Sequence, residues 1–186
     1  RNQAGIIFEI AKGMILQSSE LISRSKVFRN SITHEAKGNF FQAISSDSKT
    51  KHGFNANCII FDELHVQKNR DLWDALTTST GARREPLTIA ITTAGYDRQS
   101  ICYEVYNYAK RVLDGSIKDD SFYAVIYEAE IGDDITSKKV WAKANPNLGV
   151  SLRMEYMERE SKRAMDLPSY QNTFKRLMLN IWTESQ

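Results

Sequence analysis

The stretch "NCIIFDELHV", Asn57 to Val66, decides how the rest of the chain is read. Cys58 to Phe61 are apolar, and two carboxylates, Asp62 and Glu63, follow at once. A short apolar run bounded by polar residues reads as a buried strand, with Cys58 inside. Two adjacent acids repel one another, and burying either without compensation is costly. In an open parallel sheet, ligands sit beyond the carboxyl ends of the strands, where these acids would lie.

A cation or a polarised water resolves the conflict between the acids. In phosphoryl transfer one acid holds Mg2+ and a neighbour orients the attacking water. An apolar strand followed by Asp-Glu therefore has the form of a Walker B motif with an adjacent catalytic glutamate. Asp and Glu after a strand also start turns or cap helices, so the dipeptide alone leaves both readings open.

A second strand, "LTIAITTAG" from Leu87, sharpens the reading. It is rich in β-branched residues, expected to be buried, and ends on Thr92 and Thr93 before Gly95. Hydroxyls on a strand beside the acids can sit near a γ-phosphate or its attacking water. Thr92 and Thr93 are also ordinary β-formers before a turn.

Apolar residues at Ala4, Ile7, Phe8, Ala11, Met14 and Ile15 predict an amphipathic helix. Phe40 to Ser45 is a short strand candidate, and Ser45 to Asn55 is a polar loop by composition. Asn69 to Thr80 predicts a helix capped by Gly81, and Ile101 to Val112 one closed by Gly115. Phe122 to Ala129 is a third strand candidate. Asn145, Pro146, Asn147 and Gly149 break the chain. Ser151 is placed to cap a helix running to about Asp166. Pro168 precedes a last helix with Tyr170, Phe174, Leu177, Met178, Ile181 and Trp182 on one face. Strands alternating with helices predict a mostly parallel α/β sheet with a helical C-terminal part.

The chain has 186 residues, 41% apolar and 26% charged, which predicts a packed core rather than disorder. A net charge of +2 does not mark a strongly basic nucleic-acid-binding domain. Cys58 and Cys102 have no metal-ligand spacing and read as reduced thiols of an intracellular protein. No apolar run approaches the roughly 20 residues that cross a bilayer, and no secretion signal is visible. The ends, Arg1 without a methionine and Gln186 just after a helical pattern, read as those of an internal fragment.

Several segments in order resemble one family. They are "QAGIIFEIAKGMI", "SSDSKTKHGFNANCIIFDELHV", "PLTIAITTAGYDRQS", "VWAKANPNLGVSL" and "FKRLMLNIWTES". The chain resembles the ATPase part of the large terminase subunit of tailed bacteriophages, which packages DNA into procapsids. The resemblance implies a partial RecA-like P-loop NTPase fold of the additional-strand type. Residues 1–132 would be the ATPase core and residues 133–186 a helical lid or linker before a nuclease domain.

On the same resemblance Asp62 would hold Mg2+ and Glu63 would activate water. Thr92, Thr93 and Ala94 would form the coupling motif that relays hydrolysis to DNA movement. ATP would be the substrate. Double-stranded DNA, the small terminase subunit and the portal protein would be partners, in the cytoplasm of a bacterial host. Arg83 or Arg84 could serve a neighbouring subunit as a trans-acting finger, although a solvated basic loop also accounts for them.

The chain departs from the family in one respect: none of its nine glycines lies in a GxxxxGK[ST] loop. The phosphate-binding half of the site is expected outside these residues. This chain alone is then expected not to hold ATP tightly. Strands with an empty side should expose edges and apolar faces, and favour self-association.

"DELH", ending on His65, is also the form of the box in DExH helicases, where a "SAT"-like segment follows much as "TTAG" does here. A non-catalytic assembly module that keeps an ATPase scaffold is a further reading. His65 itself reads either as a polar residue entering a turn or as part of a site. His34 and His52 read as surface residues, and Lys49 and Lys51 as a solvated loop or a phosphate contact. Trp73, Trp141 and Trp182 read as packing residues within helical patterns.

Overall fold

The computed structural model describes residues 4–44 and 54–184. The loop expected at 45–55, with Lys49, Lys51 and His52, falls almost wholly outside the described residues. Two units divide the chain. One comprises residues 1–62 and 71–90, the other residues 63–70 and 91–186.

In the first unit, helix α1 spans Ala4–Gln17 and α2 spans Ser19–Arg24. The Ser18 hydroxyl caps α2 by accepting the Leu21 N–H at 3.3 Å. Phe8 is the buried residue of α1, and its ring stacks on Phe41 at 5.9 Å. Three short strands follow: β1 (Lys26–Val27), β2 (Ser31–His34) and β3 (Asn39–Gln42). They form an antiparallel meander in which Ile32 lies opposite both Val27 and Phe41. β1 and β2 carry no strand signal in the sequence, because strands this short hold too few residues to show a period. β3 falls within the candidate strand at Phe40 to Ser45.

Strand β4, Cys58–Asp62, lies beside β5, Leu87–Ile91. The Leu87 N–H donates to the Asn57 carbonyl at 2.9 Å, tying the two strand starts together, so the pair runs parallel. Ile59 and Phe61 are buried while Cys58 and Ile60 are exposed, an alternation set by the pleat. Cys58 is therefore not the buried thiol expected from the sequence. Phe61 packs on Trp73 of helix α3 (Asp71–Thr78), with ring centroids 4.8 Å apart.

Three expectations fail in and around these strands. All five residues of β5 are exposed, so it is not a buried strand: a ladder on one side covers neither face. The described ladders form two sheets, the parallel pair β4–β5 and the separate antiparallel meander. Gly81 is not a left-handed cap, since its φ is not positive. The end of α3 is closed instead by hydroxyls that donate back to carbonyls one turn earlier. Thr78 bonds Asp74 O at 2.6 Å, Ser79 bonds Leu76 O at 2.6 Å and Thr80 bonds Thr77 O at 2.7 Å. Finally, Phe122 to Ala129, in the second unit, is no strand. It keeps a period of two, with Tyr123, Val125 and Tyr127 outward, but joins no ladder.

The second unit is built on helices α4 (Ile101–Leu113), α5 (Lys138–Ala144), α6 (Met154–Asp166) and α7 (Pro168–Leu179). Ser100 caps α4 by accepting the Tyr103 N–H, and Gly115 closes it with φ +81°, as expected. The core gathers Ala129, Ile135, Trp141, Met157, Phe174 and Leu179. The Trp141 indole donates to Ile135 O at 2.7 Å, and the buried Ser161 hydroxyl donates to the same oxygen at 3.0 Å. Asn145 closes two helix ends at once by donating to Trp141 O and Met178 O.

Ser151 does not cap α6, whose N-cap position is Arg153, because Leu152 is held in a bridge to Leu148. The last helix is also shorter than its pattern. Asn180 turns left-handed at φ 54°, so Ile181 and Trp182 lie beyond α7, and Leu177 points outward.

Candidate active site

In the first unit, the pleat that buries Phe61 leaves Asp62 half-buried at the end of β4. Arg83 is anchored in the same unit. Its Nε and Nη2 donate to the Asn55 carbonyl at 2.9 and 2.6 Å. Arg84 beside it is exposed.

Glu63 begins the second unit in a left-handed conformation, φ 53° and ψ 56°. Only it and Asn180 among the described non-glycine residues have positive φ. Such a residue stores about 1–2 kcal/mol of backbone strain. The turn redirects the chain off the strand and into a 3-10 turn, Leu64–Val66, pinned by the fully buried Leu64. One carboxylate oxygen of Glu63, Oε2, is buried and receives no well-formed hydrogen bond. It lies 3.1 Å from Nδ1 of His65.

His65 ties this turn to the segment after β5. Its backbone N–H donates to the Thr92 hydroxyl at 3.1 Å, and its Nδ1 lies 3.1 Å from the same oxygen. The Thr92 hydroxyl donates its own proton to the Thr93 carbonyl at 2.9 Å. Burial pushes the His65 pKa below its usual value, against an upward pull from Glu63 and aided by the charge of Arg176. Burial thus favours the neutral ring. The Cys102 thiol sits 3.7 Å from the Thr92 oxygen, and burial pushes its pKa up, so it is a packed thiol rather than a nucleophile.

The remaining predicted residues continue this corner. The Thr93 hydroxyl is buried and has no hydrogen-bond partner among the described residues. Ala94 is buried, and its N–H donates to Asn180 Oδ1 at 2.6 Å. Gly95 is pressed against Trp182: a Cβ there would stand 3.0 Å from the indole and 3.4 Å from the His65 Cβ. Within the second unit, then, Glu63, Thr92, Thr93 and Ala94 come together around His65. Asp62 and the arginines are described with the first unit.

Asn180 and the strained backbone of Glu63 escaped the sequence reading. Asn is the commonest non-glycine residue in left-handed caps, so Asn180 after an apolar helix was a readable signal. Nothing in the sequence marks Glu63 as left-handed.

Residues 1–111 match the family model for the ATPase domain of the terminase large subunit. Residues 116–186 match the model for the endonuclease domain of the terminase large subunit, a match that includes the helical region expected from 133 onward. The chain is 38% identical over 134 residues to protein YmfN of Escherichia coli (strain K12), covering 72% of this chain and 30% of that protein. It is 31% identical over 188 residues to the terminase large subunit of Enterobacteria phage HK97, covering 97% of this chain and 36% of that one. The crystal structure of the HK97 bacteriophage large terminase matches with a TM-score of 0.83 at 28% identity, covering 97% of this chain and 37% of that one. The chain thus spans about a third of the length of these relatives.

Proposed function

The chain belongs to the terminase large-subunit family, and on that premise we propose that it carries the water-activating part of an ATPase that drives double-stranded DNA into a procapsid. The observation that carries this reading is Glu63 itself. A strained carboxylate with a buried, unsatisfied oxygen directly follows a strand-end aspartate. Strain and unmet hydrogen-bonding capacity collect at catalytic positions.

In this reading Glu63 accepts a proton from the water that attacks the γ-phosphate in line, and Asp62 holds Mg2+. The donor set suits that ion. Among the described residues no group of three or more His, Cys, Asp or Glu side chains is placed to hold a metal. Mg2+ in nucleotide sites takes one or two carboxylates and fills its shell with water and phosphate oxygens. When bound, it neutralises charge on the phosphate oxygens. Thr92 and Thr93 sense the product state, and Ala94 passes it on through its bond to Asn180. Arg83 is committed to Asn55 O, so Arg84 is the better placed of the two to reach a neighbouring subunit.

The finer fold assignment goes with this reading. Residues 1–132 form part of a RecA-like core of the additional-strand type, and residues 133–186 are a helical lid or linker within the stretch that matches the endonuclease model. The small terminase subunit and the portal protein are the expected partners, in the bacterial cytoplasm. The family match favours this over the DExH helicase reading. No GK[ST] loop lies in these 186 residues, so the chain by itself is not expected to bind ATP at micromolar concentration.

The test is Glu63→Gln in the full-length large subunit. Nucleotide binding persists and turnover is abolished. Near-normal turnover overturns the reading.

A further inference from the structure

His65 has no role in the reaction as derived so far, yet it touches both functional segments of the second unit. Its position follows from the chain. The left-handed Glu63 swings the 3-10 turn back, the buried Leu64 fixes the turn, and the His65 Cβ lies close against Gly95. The ring is packed with 15% of its side-chain surface accessible, and its Nδ1 has two oxygen neighbours at the same distance. Glu63 Oε2 and Thr92 Oγ1 are each 3.1 Å away.

A count of protons makes this arrangement specific. Thr92 has one hydroxyl proton, with the Thr93 carbonyl placed to take it at 2.9 Å, and its oxygen already accepts the His65 backbone N–H, which leaves it one acceptor position. The Thr92 oxygen can then only accept from the ring. An ionised Glu63 can also only accept. A neutral imidazole that carries its proton on Nδ1 has one hydrogen bond to give and two acceptors within 3.1 Å; in this structure the contact with Thr92 is the well-formed one and Glu63 Oε2 is left without it.

We propose that His65 is a positioning residue for Glu63, whose single Nδ1 proton is shared between the Glu63 carboxylate and the Thr92 hydroxyl. Given to Glu63, the bond orients the carboxylate and occupies the oxygen that would receive the proton of water. Given to Thr92, it releases that oxygen as a base. The choice is coupled to the coupling motif, because any shift of Thr92 changes the acceptor it offers. His65 thus links the water-activating residue to the strand end that senses product. No covalent step is involved. The proposal rests on the reading of Glu63 as the general base.

The test uses ATP turnover, nucleotide affinity and thermal unfolding of the full-length large subunit. His65→Ala lowers kcat about tenfold or more and leaves KM for ATP within about twofold, the pattern of an interaction made only in the transition state. His65→Asn places an amide N–H near the position of Nδ1 and recovers most of kcat. A side chain that only fills space would be rescued equally well by His65→Leu.

Wild-type kcat in His65→Ala, or rescue by Leu as good as by Asn, overturns the role of His65. The reading of Glu63 stands in both cases if Glu63→Gln alone is inactive. Near-normal turnover in Glu63→Gln overturns both. Unfolding midpoints close to wild type in the Asn and Leu variants keep the comparison valid where His65→Ala is poorly folded.

Discussion

The Asn180 side chain holds the backbone of Ala94. Its Oδ1 accepts the buried Ala94 N–H at 2.6 Å, and its amide donates to the Tyr127 carbonyl at 2.9 Å. One left-handed residue after α7 thereby holds both the segment that follows β5 and the extended stretch at 122–130.

Asn180→Ala should be costly for two reasons. It leaves the buried Ala94 N–H without an acceptor, worth about 1–3 kcal/mol. It also places a less tolerant residue at positive φ, worth about 1 kcal/mol. Asn180→Asp keeps the acceptor and the backbone tolerance and should lose clearly less. Urea unfolding of the two variants checks this, and equal losses would show that the Ala94 bond does not matter.

Gly95→Ala tests the contact with Trp182. The backbone at Gly95 is not left-handed, so alanine meets no conformational penalty, only the indole at 3.0 Å. The ring cannot retreat freely, because Tyr103 and Tyr106 pack on it at 4.8 and 5.7 Å. A loss of about 1–3 kcal/mol is expected from overpacking, partly recovered by adding Trp182→Phe. A raised melting temperature in Gly95→Ala would refute the close contact.

Tyr106 gives a pH signature. Burial and its 2.6 Å hydrogen bond to Glu128 push its pKa up to about 12. The folded state therefore holds the phenolic proton more tightly than the unfolded chain does. The resulting stabilisation is complete below the ordinary tyrosine pKa of about 10 and is lost as pH rises toward about 12. Ultraviolet titration should show late-ionising tyrosines, since Tyr108 and Tyr170 are also pushed up, and Tyr106→Phe should remove the part of that signal near pH 12. The same variant should flatten the loss of stability across that window.

The outer strand β5 predicts self-association of this chain. Leu87 is 53% exposed and Ile89 36%, on a strand with one described ladder neighbour. Exposed apolar edges pair with one another unless a charge intervenes. Ile89→Lys should raise the monomer fraction in sedimentation velocity at matched concentration. A wild-type chain that stays monomeric at all concentrations would contradict the expectation.

Much of the local structure was legible in the sequence. Long periodic segments such as Ile101 to Val112 gave their helices, because an amphipathic face and a capping glycine are written in consecutive residues. The strand at Cys58–Asp62 and its two terminal acids were legible for the same reason. The third candidate strand shows where this stops. Phe122 to Ala129 keeps the alternation of a strand, but a strand also needs a partner, and no residue within the segment says whether one is adjacent.

Burial and contact were decided only in three dimensions. The sequence placed Asp62 and Glu63 side by side and Thr92 and Thr93 after a second strand. It could not show that Glu63 turns left-handed or that His65 stands equidistant from a carboxylate and a hydroxyl, nor that Asn180 reaches Ala94. Those relationships join residues far apart in the chain, and their distances depend on how whole elements pack. Periodicity and capping are properties of neighbours, and neighbours are what a sequence records. The corner around His65 depends on which side chains fill the same few ångströms, and only the folded backbone sets that.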